Sequence, residues 1–163
     1  MHKKPGTIFF QPIIIISIAV IVAAIALIIF SYQKSREPIF ISTGDNVFSV
    51  SINGTSLFLE KAITSDEQAK GLSGRTSLPP DGGMFFPFDP PKRAGFWMKD
   101  MVIPLDFIYV YKGDVVEVKE DVQPALVPLP FFPETNVDAV IEVNAGWVKT
   151  HNIKVGDKVG YQI

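Results

Sequence analysis

From Ile13 to Phe30 the chain runs through 18 residues interrupted only by Ser17, and that run limits what the rest can be. A helix apolar on every face must be surrounded by apolar material. A chain of 163 residues is too small to wrap such a helix and still build a domain. Extended back to Ile8 the stretch admits only Gln11 and Pro12. It then reaches roughly 34 Å at ~1.5 Å per residue, enough to cross the hydrocarbon core of a bilayer. In lipid a helix satisfies its own backbone groups, which is what makes insertion feasible. A cleaved signal peptide would have a shorter apolar region followed by a small-residue cleavage site. Here the only such site, Ala24-Ile25-Ala26, lies inside the run.

The sequence therefore predicts a cytoplasmic N-terminus over 1–7, a transmembrane signal anchor over 8–30, a tether over 31–45 and an extracytoplasmic domain over 46–163. Lys3 and Lys4 before the run balance Lys34 and Arg36 after it. The amino terminus and His2 tip the balance toward the N-terminus inside. The expected location is the cell membrane, single-pass, with the C-terminal domain outside the cytoplasm. The absence of cysteine excludes disulfides, thiolate zinc sites and a cysteine nucleophile. With 15 Lys+Arg against 17 Asp+Glu the chain lacks the basic excess of a general nucleic-acid binder. No metal, cofactor or nucleic-acid partner is expected.

Past the tether the pattern changes to short strands. Phe48, Val50 and Ile52 alternate with Ser49 and Ser51, the period of a half-buried strand. Asn53-Gly54 follows, the dipeptide that best accepts the positive φ angles of a tight hairpin, and Thr55 to Ala62 reads as the return strand. Thr64 with Glu67 forms a capping-box pattern opening a short helix that Gly71 ends. Five prolines between Pro79 and Pro91 predict a rigid loop, with Gly83-Met84-Phe85-Phe86 as a short strand inside it. Further strands are expected over Gly95 to Met98, Leu105 to Tyr111, Val115 to Val122, Ala139 to Val143 and Lys158 to Ile163. In the third of these Val116 and Val118 would share a face opposite Glu117 and Lys119. Ala145 to His151 reads as a brief helical turn. The expected fold is mostly β (small α+β): a compact β-sandwich or partly closed barrel with one short helix, preceded by one transmembrane helix.

Six blocks then occur in a familiar order: Gly71-Leu72 with Arg75 and Leu78, Gly83-Met84-Phe85-Phe86, Phe96-Trp97-Met98-Lys99, Ile103-Pro104-Leu105-Asp106, Asn144-Ala145-Gly146-Trp147, and Ile153-Lys154-Val155-Gly156-Asp157. Together they resemble the prokaryotic "domain of unknown function 192" family, over roughly Ser56 to Val159. The resemblance implies a single, mostly β domain, often exported or anchored by an N-terminal apolar segment. It implies no biochemical activity. Many relatives carry Asn-Thr after the Trp-Met-Lys block, where this chain has Asp100-Met101. An ionised Asp only accepts hydrogen bonds, so it cannot stand in for an amide donor.

Five residues stand out as candidate ligand contacts. Trp97 offers a stacking surface or, alternatively, a large core side chain. Lys99 shares its strand face and offers charge, while Asp100 falls on the opposite face with Met98. Asp106 opens an apolar strand, where an unpaired charge is costly. Arg75, with its planar fork, is its natural partner, either as a structural clamp or as the wall of a charged pocket. Glu142 and Asn144, two apart on a strand, could join Asp100 or Asp106 in an oxygen-rich cation site, although no calcium-loop spacing is present.

No G-x-S-x-G elbow or phosphate-binding glycine loop occurs. His151 could serve a serine nucleophile only if the fold brought Ser73 or Ser77 to it. No catalytic residue is assigned. The leading expectation is a module that binds an envelope component, a small anionic ligand or a protein partner. The alternatives are a carboxylate-based hydrolase of envelope glycans, with Asp100 paired to Asp106 or Glu142, and a structural module without a ligand site.

Overall fold

The computed structural model describes residues 21–27, 46–125 and 129–161. The chain divides into two units, Met1–Ile41 and Ser42–Ile163. In the first, residues 21–27 are helical with exposed side chains. Among the described residues no helix is long and apolar enough to cross a membrane. The rest of the expected anchor over 8–30 lies outside the described residues, as does the whole of the tether over 31–45.

The second unit is a seven-stranded sheet: β1 (Val47–Ile52), β2 (Thr55–Lys61), β3 (Gly82–Lys92), β4 (Leu105–Tyr111), β5 (Asp114–Val122), β6 (Val137–Asn144) and β7 (Val159–Tyr161). Two short helices, α1 (Ser65–Lys70) and α2 (Trp147–Thr150), complete it. The strand order is β5-β4-β6-β3-β2-β1-β7. All neighbours are antiparallel except β2 and β3. The outer strands meet at one corner, where Asp114 pairs with Lys158, Val115 N–H donates to the Asp157 carbonyl at 2.9 Å and Val159 N–H to that of Gly113 at 2.9 Å. One such contact closes the sheet only partly, giving a half-barrel.

The Asn53-Gly54 hairpin forms with φ of 49° and 82°. Thr64 Oγ accepts from Glu67 N–H while Glu67 Oε2 accepts from Thr64 and Ile63 N–H. These amides, Thr64 foremost, hold the Glu67 carboxyl below its usual range.

Both faces of the central strands are buried, so alternation sorts residues into two cores. Val50, Ile52, Leu57, Leu59, Phe85, Ile108, Val110, Ile141 and Val143 line the barrel interior, which Trp147 and Val148 of α2 plug. Met84, Phe86, Phe107, Tyr109 and Val140 face outward and are covered by the segment carrying Phe96 and Met98. The Phe96 ring meets Phe86 at 5.2 Å and Phe107 at 5.7 Å between centroids, both edge to face. Each fully buried side chain of this kind contributes roughly 1.5–3 kcal/mol.

Three expectations need correction. The short strand in a proline loop is an 11-residue strand. Its ladder to β6 runs from Gly83 to Pro87, shifts, and resumes at Lys92, so the later prolines fall in the irregular part, where a missing N–H costs least. Gly95 to Met98 is an extended segment carrying a single bridge, Phe96 to Phe131. Val116 and Val118 do not share a face. A register shift opposite Tyr109 and Val110 inserts one residue, so Val118 packs against the inner core and Val116 against the outer one.

A second shift opposite Leu105 and Phe107 turns Asp121 to φ 53° and aims its N–H at Asp106 Oδ1, 2.8 Å away. The other Asp106 oxygen accepts from Val148 N–H at 3.0 Å. The fully buried carboxyl thus ties β5 and α2 to β4. Replacing it should leave both amides without that acceptor. Asp106→Ala is therefore expected to lower stability by roughly 3 kcal/mol or more, and Asp106→Asn by less, read as the midpoint of chemical denaturation.

Candidate functional site

On the outer face a cavity of about 390 Å³ opens between the end of α1, the last turns of β3 and the segment 93–101. Each wall has a local cause. Helix α1 stops because Gly71 adopts φ 49° as its C-cap, a conformation that costs a side-chain-bearing residue energy. A Cβ there would sit 3.5 Å from the Phe86 ring and 3.9 Å from Glu142 Oε2, so the glycine leaves the way to that carboxyl open. Phe86 and Phe88 project from β3, and Lys92 and Arg93 stand at its end. Trp97 forms part of the wall and is 46% exposed, because Phe96 and Met98 on either side take the buried positions of the extended segment.

The floor holds Glu142. It lies between Ile141 and Val143, both inner-core residues, so the pleat turns its side chain outward, where it is only 5% exposed. No protein group hydrogen-bonds it among the described residues. Burial disfavours the charged form, and its pKa is pushed up to about 8. At neutral pH the floor therefore carries a carboxylic acid able to donate a hydrogen bond. On the same face the Tyr109 hydroxyl is buried without a partner among the described residues. Its pKa is raised, chiefly by burial, then by the nearby charges of Glu117 and Glu142.

Of the five residues singled out in the sequence, Trp97 alone lines this cavity. Arg75 does not meet Asp106. It makes two 2.6 Å hydrogen bonds to Glu60, which raise its pKa, and it lines a neighbouring hollow of about 310 Å³. The reason is the sheet itself: Glu60 points outward from β2 toward Arg75, whereas Asp106 points inward from β4. Lys99 and Asp100 are exposed. Their carbonyls accept from Ser73 Oγ at 2.9 Å and Gly74 N–H at 2.9 Å, pinning the loop after α1. Asp100 leaves the face of Met98 because the chain turns there, with φ 56°.

The cation grouping does not assemble either. Glu142 and Asp106 lie on opposite faces, Asn144 Nδ2 donates to the Pro79 carbonyl at 2.8 Å, and no cluster of three or more acids or histidines exists among the described residues. His151 stacks on Trp147 at 4.2 Å between centroids, with Nε2 4.0 Å from Asp81, while the Ser73 hydroxyl bonds Lys99. Lys70, Lys92 and Arg93 were not singled out, since nothing local in the sequence marks their convergence. Glu142 carried a signal, an acid embedded in a strand apolar on both sides.

A half-barrel with a cavity on its outer face, floored by one buried acid and rimmed by an exposed tryptophan, is a class of small β domain with the makings of a binding site. Residues 48–161 match the model of the "domain of unknown function 192" family, described as uncharacterized ACR, and the chain belongs to that family. The fold is similar to the crystal structure of a protein of unknown function from Novosphingobium aromaticivorans, at 38% identity and TM-score 0.64 over 75% of this chain and 90% of that one. It is also similar to a candidate transcription regulator from Sinorhizobium meliloti, at 27% identity and TM-score 0.64 over 71% of this chain and 93% of that one. None of the curated proteins matches the chain.

The pKa of Glu142 fixes a pH dependence. Its folded pKa, about 8, lies above the unfolded value of about 4.3. The folded state therefore holds a proton that the unfolded state has lost across that window. Stability contributed by the neutral acid is complete below about pH 4 and declines as pH rises through about 8. Glu142→Gln removes this dependence. Its free energy of unfolding, read from chemical denaturation, should exceed that of the parent near pH 9 by a margin on the order of a few kcal/mol and differ little near pH 4.

Proposed function

We propose that this chain is a single-pass membrane protein whose β domain is held outside the cytoplasm and binds a small molecule of the cell envelope in the cavity above Glu142. The observation that carries the binding reading is the cavity itself. Its volume of about 390 Å³ falls within the usual range for small-molecule sites, and such sites combine apolar walls with a few polar groups that fix orientation. Leaving a buried carboxyl without a hydrogen-bond partner costs stability. A ligand that supplies the partner recovers that cost on binding. Trp97 gives an exposed stacking surface beside it, and the Lys99 and Asp100 carbonyls hold the loop after α1. Support for the anchor comes from the apolar run between Ile13 and Phe30.

The hydrolase alternative needs a second carboxyl beside Glu142. Asp100 does not line the cavity, and Asp106 lies across the sheet with both oxygens engaged by backbone amides. One raised acid is the arrangement of a binding site more than of paired-carboxylate catalysis.

The anchor is tested with alkaline phosphatase and green fluorescent protein fused in turn to the C-terminus, the first being active only outside the cytoplasm and the second fluorescing within it. Phosphatase activity with resistance to salt extraction is the expected result. Binding is tested by melting the full chain in detergent against fractionated envelope metabolites. A fraction saturating the site about a hundredfold above its Kd should stabilise by roughly 2.7 kcal/mol, and Trp97→Ala should abolish that shift while leaving the unliganded melting temperature nearly unchanged. Shifts that persist in Trp97→Ala would place the ligand elsewhere.

A further inference from the structure

The charges around the cavity are one-sided. Lys70 at the end of α1, Lys92 at the end of β3 and Arg93 beside it all line the cavity, and among the described residues the sole acid that does so is the buried Glu142. Two of the three cations are held in place. Lys92 Nζ lies 4.6 Å from the centroid of the Phe88 ring, and Arg93 Nε donates to the Pro133 carbonyl at 2.8 Å. The entrance is thus positive although the chain as a whole carries a net charge of −2. A concave site lined by one sign of charge concentrates the opposite sign. Phe86, Phe88 and Trp97 supply aromatic walls, and the buried Glu142 carboxyl has no hydrogen-bond partner among the described residues.

Resting on the binding reading above, we propose that the ligand is a small organic anion built on a ring. Its acidic group sits among Lys70, Lys92 and Arg93, its ring lies against Trp97 and Phe88, and an uncharged oxygen on it takes a hydrogen bond from the Glu142 carboxyl. The cations and Trp97 are exposed and Glu142 is buried, so the site selects an anion with its acid at the open end and an acceptor at the other. A ligand amine would suit an ionised Glu142 but would have to pass three cations, each repelling it.

The Glu142 contact needs the proton, so affinity is expected to fall as pH rises through about 8. The other titratable groups around the cavity are Lys70, Lys92 and Arg93, which line it with Glu142, and Tyr109 on β4, which senses the Glu142 charge. Met84 and Phe107, the neighbours of Glu142 across the ladder, do not titrate.

The test is calorimetric titration of the full chain in detergent with three probes of similar shape and different charge, whose ether oxygen accepts a hydrogen bond and does not titrate: para-methoxybenzoate, para-methoxybenzyl alcohol and para-methoxybenzylamine. The benzoate should bind about tenfold tighter than the alcohol at about pH 6.5, and the amine weakest. The double substitution Lys92→Ala with Arg93→Ala should reduce the benzoate to about the affinity of the alcohol. Between about pH 6.5 and about pH 9.5 the benzoate affinity should drop about tenfold. Glu142→Gln, whose amide still donates, should bind at both pH values without the drop.

Preference for the amine, or equal affinity for all three, overturns the anion assignment while small-molecule binding stands. Unchanged benzoate affinity in the double variant overturns it as well, and a pH drop that survives in Glu142→Gln overturns the contact with that carboxyl. No binding of any probe to the parent protein at concentrations on the order of 10 mM overturns both this assignment and the binding reading.

Discussion

The register of β6 is the constraint on which the rest depends. This strand lies between β3 and β4 with both faces covered, so every side chain on it is committed to one of two cores by the pleat. Ile141 and Val143 fill the interior, and Glu142 must therefore face outward. Gly83 holds the contact with β3: a Cβ there would fall 2.0 Å from the Glu142 carbonyl oxygen, so the backbones approach as only glycine permits. The carboxyl cannot escape by a one-residue slip, because slipping would send every apolar residue of β6 to the wrong side. It stays buried, and the cavity above it is where its chemistry is available.

Much of the fold was legible in the sequence because its signals are local. The Phe48-Val50-Ile52 alternation, the Asn53-Gly54 turn and the Thr64–Glu67 box each act within a few residues, and each formed. The extent of β3 was hidden because prolines read as a loop unless the position of the irregular ladder is known. The bulge at Val116 was hidden because an inserted residue leaves no mark on composition. The partner of Arg75 was misread for a related reason. Glu60 and Asp106 are both acids on apolar strands, and only the sheet order, with its parallel β2–β3 pair, shows which one shares a face with the arginine.

The site was legible in part. The aromatic rim showed as Trp97 within a short motif, and Glu142 was visible as an acid in an apolar strand, though grouped there with cation ligands. The remaining walls come from a helix end, a strand end and a loop that meet only in three dimensions. Lys70, Lys92 and Arg93 are unremarkable in the chain and come to line one cavity only in the fold. Membership of the family and likeness to a protein of unknown function supply the fold without the chemistry, so the chemistry has to be read from these side chains.

The protonation of Glu142 joins the fold to the proposed function: the register buries it, burial keeps it neutral, and neutrality makes the floor of the cavity a hydrogen-bond donor. Carbon-detected NMR titration of the Glu142 side-chain carboxyl in the full chain measures this directly. A midpoint close to 8 is expected from its burial. A midpoint near the ordinary glutamate value of about 4.3 would mean that the group is solvated, and that the cavity floor is a charged surface open to water.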